Sequence, residues 1–109
     1  MPETALVIPP DAPSDMASRA EEAAAFLKTL AHEGRLMILC HLATGERSVG
    51  ELETLLEMRQ ASVSQLLARL REDNLVATRR SGKTVYYRLA NDTTAQVIAF
   101  LHETFCAPH

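Results

Sequence analysis

The sequence has no tryptophan, only 5% aromatic residues and no long hydrophobic run. A membrane-spanning helix needs roughly 20 consecutive apolar residues, and no segment approaches that length. The N-terminus also lacks the basic segment and apolar core of a secretory signal. Because apolar residues still make up 47% of the chain, we expect one aliphatic core in a soluble intracellular protein, without membrane contact.

Catalytic motifs are equally absent. No glycine-rich phosphate loop and no HExxH zinc motif occurs, and no serine, histidine and aspartate have the spacing of a catalytic triad. Cys40 and His41 are adjacent, but successive residues of a helix point about 100° apart. We therefore predict that the chain is not an enzyme and needs no cofactor.

The net charge of −3 conceals a basic segment. From Arg59 to Leu89 the chain has seven basic and two acidic residues, so this segment carries +5 and the remainder −8. The seven are Arg59, Arg69, Arg71, Arg79, Arg80, Lys83 and Arg88. An acidic body with one basic face is typical of a domain that binds nucleic acid on one side. The alternative is a solvated basic patch without a partner.

Proline divides the chain into an arm and a domain. Four of the five prolines lie in residues 1–13, which show no helical or strand period, and we expect this segment to be a flexible arm. Residues 14–109 are then one domain. Its first helix is expected to begin at Ser14 or Asp15 and to end near Leu30, and a second helix is expected over residues 33–43.

The centre of the chain predicts two helices joined by a tight turn. Ser48 and Glu51 have the spacing of a capping box and open a short helix. After a connection at residues 58–60, a longer helix runs to about Asn74, with apolar residues at helical spacing on one face. Those residues are Val63, Leu66, Leu67 and Leu70. Its other face is polar, with Gln60, Ser62, Ser64, Gln65 and Arg69.

A hairpin and a last helix complete the domain. Residues 76–80 and 84–89 favour strands, and the link between them contains Gly82. Asn91 or Asp92 can cap a helix that ends near Phe105. The predicted fold is therefore mainly α with a two-stranded β-wing, a winged helix-turn-helix.

This fold predicts how the chain contacts double-stranded DNA. The second helix of such a motif enters the major groove, where Gln60, Ser62, Ser64 and Gln65 are suited to base edges. Arg69 is better suited to phosphate, and the wing is expected to grip the DNA backbone through Arg79, Arg80 and Lys83. The alternative is a protein-interaction module whose polar helix face meets only water.

Several segments together resemble the ArsR/SmtB family of repressors. They are Phe26–Leu36, Gln60–Arg71, Leu75–Val76, Arg79–Arg80 and Tyr87–Leu89, and the resemblance covers about residues 20–106. It implies a homodimer formed through the first and last of five helices, a palindromic operator, and repression relieved by an inducer. Leu66 departs from the family pattern, since many members carry a polar residue there.

The resemblance does not extend to the ligand sets of the metal sensors. Ser48–Leu52 stands where arsenic, cadmium and lead sensors have a cysteine-rich motif, and Asp92 is followed by Thr94 where zinc sensors have a histidine two residues on. His102 and Cys106 share one face of the last helix, but two ligands do not make a site. We predict no metal site, and a metal-sensing repressor stays an alternative.

The two cysteines, Cys40 and Cys106, suggest the inducer. The resemblance is closest to the sulfide-responsive branch of the family, through Arg35–Cys40, Ser48–Glu53 and Phe105–Cys106. It implies that persulfides or polysulfides react with the two thiols and leave a disulfide or polysulfide bridge, which releases the DNA. A sensor of general oxidants would use the same two residues.

Overall fold

The computed structural model describes residues 8–106, and within them the chain is mainly helical. The helices are α1 (Ala12–Ala17), α2 (Ala20–Leu30), α3 (Glu33–Leu42), α4 (Val49–Leu56), α5 (Gln60–Glu72) and α6 (Asp92–Phe105). The strands are β1 (Arg47–Ser48), β2 (Val76–Ser81) and β3 (Thr84–Leu89). The predicted order of helices and hairpin is confirmed. In the part of the chain described here, no helix has both the length and the apolar character needed to cross a bilayer.

The predicted first helix is interrupted. It divides into α1 and α2 at Ser18 and Arg19, where the Ser18 hydroxyl donates to the carbonyl oxygen of Asp15 at 2.9 Å and Arg19 leaves the helical region with a φ of −122°. Helix α1 buries none of its side chains. Ala12 and Pro13, which were expected in the arm, already belong to α1, and residues 1–7 of that arm lie outside the described residues.

Side-chain caps fix where three helices begin. His32 accepts hydrogen bonds at Nδ1 from the amides of Gly34 and Arg35 at the start of α3. The predicted capping box is present, since the Ser48 hydroxyl accepts from the Glu51 amide at 3.1 Å and the Glu51 carboxylate from the Ser48 amide at 2.8 Å. Asn91, one of the two predicted caps, begins α6.

The sheet has three antiparallel strands in the order β1-β3-β2, one more than predicted. The added strand, β1, is two residues long and pairs Arg47 with Tyr87. The β2–β3 hairpin turns through two residues, of which the first, Gly82, has a φ of +64°. Glycine adopts this conformation without the steric cost that a side chain brings.

The core lies between the helices and one face of the sheet. The apolar side chains with at most 1% exposure come from α3, α4 and α5, and they are Ile38, Leu39, Leu52, Val63, Leu67 and Leu70. Helix α6 adds Ile98, at 4%. Phe105, at the end of this helix, is 79% exposed, because α6 packs on the domain only through its earlier turns.

Candidate nucleic-acid interface and thiol site

The polar face of α5 points away from the core. Burial of Val63, Leu67 and Leu70 fixes the rotation of the helix about its axis. As a result the four side chains predicted to reach base edges, Gln60, Ser62, Ser64 and Gln65, are all exposed. These residues occupy the first two turns of α5, the part of a recognition helix that approaches the bases.

Helix α5 and the wing share one concave surface. Its volume is about 670 Å³, and it is lined by Ser64, Gln65, Ala68, Arg69, Arg71, Glu72 and Tyr87. Tyr87 belongs to β3, so this surface joins the helix directly to the hairpin. The predicted polar helix face and the basic hairpin are therefore adjacent on the molecule.

The register of the hairpin separates the two arginines of β2. Neighbouring residues of a strand point to opposite faces, and β2 pairs Thr78 with Tyr87 and Arg79 with Tyr86. Arg80 therefore lies on the same face as Thr78 and Tyr87, the face that looks toward α5. Arg79 lies on the other face. Sequence reasoning treated the two arginines as equivalent, because register is not visible before the hairpin is paired.

Arg79 is engaged within the protein. Its guanidinium donates to the Glu46 carboxylate at 2.8 Å and lies 4.9 Å above the centre of the Tyr86 ring. The hydrogen bond from Arg79 holds the pKa of Glu46 below its usual value, and the same bond raises the pKa of Arg79. Sequence reasoning missed Glu46, which is 33 residues away in the chain.

Arg69 is also paired, through the end of its own helix. Its Nε donates to Asp73 at 2.8 Å, and the buried Thr29 hydroxyl donates to the same carboxylate oxygen. These two bonds, that of Thr29 foremost, keep the pKa of Asp73 below its ordinary value. The spacing of Arg69 and Asp73 is i, i+4, so this pair was readable from the sequence.

The remaining cations of the basic segment differ from Arg69 and Arg79. Within residues 8–106, five of them form no salt bridge, and these are Arg59, Arg71, Arg80, Lys83 and Arg88. Arg80 and Lys83 lie at the exposed end of the hairpin, beyond the last core residue of β2. Their charges are directly available to an anionic partner.

The two thiols occupy different environments. Cys40 is half-buried on α3 and lines a groove of about 350 Å³ between α3 and α6. The other lining residues are Ala43, Thr44, Ala95, Ile98, Ala99 and His102. Cys106 is exposed at the end of α6, where its amide donates to the His102 carbonyl at 2.8 Å, so it lies one helical turn beyond the groove. Both cysteines are free thiols.

Metal ligands do not cluster in the described part of the chain. Across residues 8–106, no three side chains among histidine, cysteine, aspartate and glutamate are grouped so as to hold a metal ion. His102 lines the thiol groove, whereas His32 serves as a helix cap on the opposite end of α3.

Comparison with known proteins identifies the family. The family described as bacterial regulatory protein, arsR family, matches residues 32–78, from the cap of α3 into β2. A biofilm growth-associated repressor of Agrobacterium fabrum is 55% identical over 93 residues, which cover 85% of this chain and 80% of that protein. The chain belongs to the ArsR family.

Solved structures agree with this membership. The transcriptional repressor BigR of Xylella fastidiosa superposes on this ArsR-family chain with a TM-score of 0.80 at 47% identity, over 87% of this chain and 97% of that one. Reduced HlyU of Vibrio cholerae superposes with a TM-score of 0.81 at 42% identity, over 86% of this chain and 99% of that one. The predicted winged-helix fold is confirmed, and the protein is a DNA-binding transcriptional regulator, not an enzyme.

Proposed function

We propose that this ArsR-family regulator is a homodimeric repressor of the bacterial cytoplasm that binds a palindromic operator and leaves it when Cys40 and Cys106 react with persulfides or polysulfides. The observation that carries the DNA-binding half is the concave surface shared by α5 and the wing. The observation that carries the sensing half is the groove between α3 and α6, which contains Cys40 and ends one turn before Cys106. The similar Agrobacterium and Xylella proteins are named repressors, which supports repression rather than activation.

On DNA, α5 lies in the major groove and the wing follows the phosphate backbone. Gln60, Ser62, Ser64 and Gln65 are exposed on the helix and can exchange hydrogen bonds with base edges. The phosphate contacts come first from the cations without internal partners, Arg71, Arg80 and Lys83. Arg69 and Arg79 contribute as cations that their carboxylate partners already hold in place.

Dimerisation accounts for apolar surface that one copy leaves uncovered. Leu27 on α2 is 60% exposed, and Phe100 and Phe105 on α6 are 62% and 79% exposed. Large apolar side chains left exposed on two helices of one copy are typical of a protein interface. A dimer through these helices presents two copies of α5, which must match major grooves about one helical turn, roughly 34 Å, apart.

The thiol chemistry proceeds by sulfur transfer. The Cys40 thiolate attacks the outer sulfur of a persulfide RSSH, so that Cys40 becomes a persulfide and RS⁻ leaves. The Cys106 thiolate then attacks the inner sulfur of that persulfide and expels HS⁻, which leaves a disulfide. When a second RSSH first adds another sulfur to the Cys40 persulfide and leaves as RS⁻, attack by Cys106 on the middle of the three sulfur atoms leaves a trisulfide and again expels HS⁻. The opposite order, in which Cys106 reacts first, gives the same bridges.

The bridge acts on DNA through the geometry of the dimer. It ties α3, which packs against α5, to α6, which carries the uncovered apolar surface. A change in the angle between these helices moves the two copies of α5 relative to each other. Since both must enter successive grooves, a small displacement weakens binding to the operator.

The DNA-binding half is tested with a duplex selected by the protein from a random-sequence library. We expect selection of an inverted repeat, tight binding to it, and a steep loss of affinity as salt rises, because bound phosphates exchange counterions for Arg and Lys. A protein-interaction module would select no sequence and bind duplex DNA weakly at every salt concentration.

The sensing half is tested on the same complex. A persulfide donor should release the selected duplex from the unaltered protein but not from C40S or C106S, and intact mass should show a bridge between the thiols. Release of C106S would refute the two-thiol mechanism. If peroxide releases the duplex and the mass of the protein falls only by two hydrogens, the protein is a sensor of general oxidants. If zinc releases the duplex and a chelator restores binding, it is a metal sensor.

A further inference from the structure

Asp73 has an unexpected place at the C-terminal end of the helix proposed to read DNA. The carbonyl end of a helix carries partial negative charge, so a carboxylate there is unfavourable unless other groups compensate it. Asp73 is the residue on which α5 ends, and Asn74 after it takes the left-handed conformation with a φ of +64°. A carboxylate also adds negative charge near the surface proposed to face phosphates.

Two hydrogen bonds from different helices compensate the negative charge of Asp73. Arg69, one turn earlier on α5, donates to Oδ2 at 2.8 Å, with side-chain exposures of 41% for Arg69 and 33% for Asp73. The Thr29 hydroxyl of α2, which is 1% exposed, donates to the same oxygen. Hydrogen bonds to charged groups are about twice as strong as those between neutral groups, so Thr29 ties α2 firmly to the end of α5.

A further hydrogen bond connects Thr29 to α3. The main-chain oxygen of Thr29 accepts from Arg35 Nε at 2.7 Å, and Arg35 lies on the first turn of α3. Thr29 therefore contacts both helices that flank it in the core, through its hydroxyl on one side and its carbonyl on the other. One buried residue of α2 thus fixes the start of α3 and the end of α5 together.

We propose that Asp73 is a positioning residue for DNA recognition: it locks the end of α5 to α2 through Thr29 and holds Arg69 along the concave surface. Arg69 lines that surface together with Ser64 and Gln65, so the bonds that hold Arg69 and the end of α5 lie beside the side chains proposed to read bases. The carboxylate lowers the general attraction to DNA and raises the selectivity of the helix. The inference rests on the proposed docking of α5 on DNA and is independent of the thiol switch.

The chain supplies a matched control at the neighbouring position. Glu72 carries the same charge at the same end of α5 and lines the same surface, but within the described residues it forms no salt bridge. D73N and E72Q therefore change the net charge equally, and only D73N removes charge from the Thr29 and Arg69 contacts. T29V removes the hydroxyl at nearly constant volume, and T29S restores it.

The experiment measures the dissociation constants of these variants for two duplexes of equal length. One is the sequence selected by the unaltered protein, and the other is its scrambled form. E72Q should bind both duplexes more tightly, because one repulsive charge per protomer is lost. D73N should bind the scrambled duplex more tightly but the selected duplex roughly tenfold more weakly, as expected for loss of a charged hydrogen bond that orders the helix. T29V should weaken only selected-duplex binding, and T29S should behave as the unaltered protein.

A second measurement works without DNA. Amide hydrogen exchange at residues 69–75 should be faster in D73N and T29V than in E72Q and T29S, since the last turn of α5 loses its tie to α2. The proposal is overturned if D73N tightens binding to both duplexes as E72Q does, or if exchange in this segment is the same in all four variants. Failure of the docking itself is recognised separately, because truncation of Gln65 would then leave both affinities unchanged.

Discussion

The two arginines of β2 give a sharp test of how the wing contacts DNA. R79A and R80A remove the same charge from adjacent positions, so their effect on the overall field is equal. Their local settings differ. Arg79 is paired with Glu46 and stacked on Tyr86, whereas Arg80 lies on the face toward α5 and forms no salt bridge with any of residues 8–106. We expect R80A to lose one phosphate contact per protomer.

The expected size follows from counterion release. Each phosphate contact contributes about 0.9 to the slope of log K against log salt, so R80A should lower the slope by about 1.8 for the proposed dimer. At 0.15 M salt this corresponds to a roughly 30-fold loss of affinity, which should vanish near 1 M. R79A should change the slope by clearly less, because its charge is already balanced by Glu46.

Fluorescence anisotropy of a labelled duplex over a series of salt concentrations measures both slopes. Thermal unfolding provides the control, since R79A should lower the melting temperature through loss of its contacts with Glu46 and Tyr86, and R80A should not. Equal slopes for the two variants, or a larger change for R79A, would refute the assignment of the faces of the hairpin.

Three further predictions concern stability and assembly. S48A removes the capping box of α4 and should lower the free energy of unfolding by about 1 kcal/mol, measured by urea denaturation; a change near zero would show that the cap is dispensable. F100E places charge on the uncovered face of α6 and should convert the dimer to a monomer in sedimentation experiments; an unchanged mass would move the interface elsewhere. Asp73 stabilises the fold only while ionised, because its folded pKa is depressed, so its contribution is complete above the ordinary Asp value of 3.8 and is lost as pH falls further. In D73N the free energy of unfolding should therefore fall less steeply as the pH is lowered below this value. The same pH dependence in D73N and in the unaltered protein would contradict the pairing with Thr29.

The order of helices and hairpin was predictable because local signals mark it. The Ser48 capping box, the apolar spacing on α5 and the glycine in the hairpin each act over a few residues. The break between α1 and α2 was missed, since the alanine-rich segment favours a continuous helix and no proline or glycine marks residues 14–20. Strand β1 was also missed, because two residues show no period and their pairing with Tyr87 depends on the folded chain.

The candidate site was predictable as a set of residue types but not as a set of contacts. Exposure of Gln60, Ser62, Ser64 and Gln65 followed from the helical period. The engagement of Arg79 by Glu46 and of Asp73 by Thr29 did not, because these partners are 33 and 44 residues apart in the sequence. Charge counts therefore identified the basic segment but could not say which cations are free.

The central claim is that the exposed polar face of α5 reads base edges. It is tested most directly by the dissociation constants of Q65A for the selected duplex and for its scrambled form. We expect Q65A to bind the selected duplex roughly tenfold or more weakly and the scrambled duplex with unchanged affinity, as for a lost base contact. Equal affinity of Q65A and the unaltered protein for the selected duplex would contradict it.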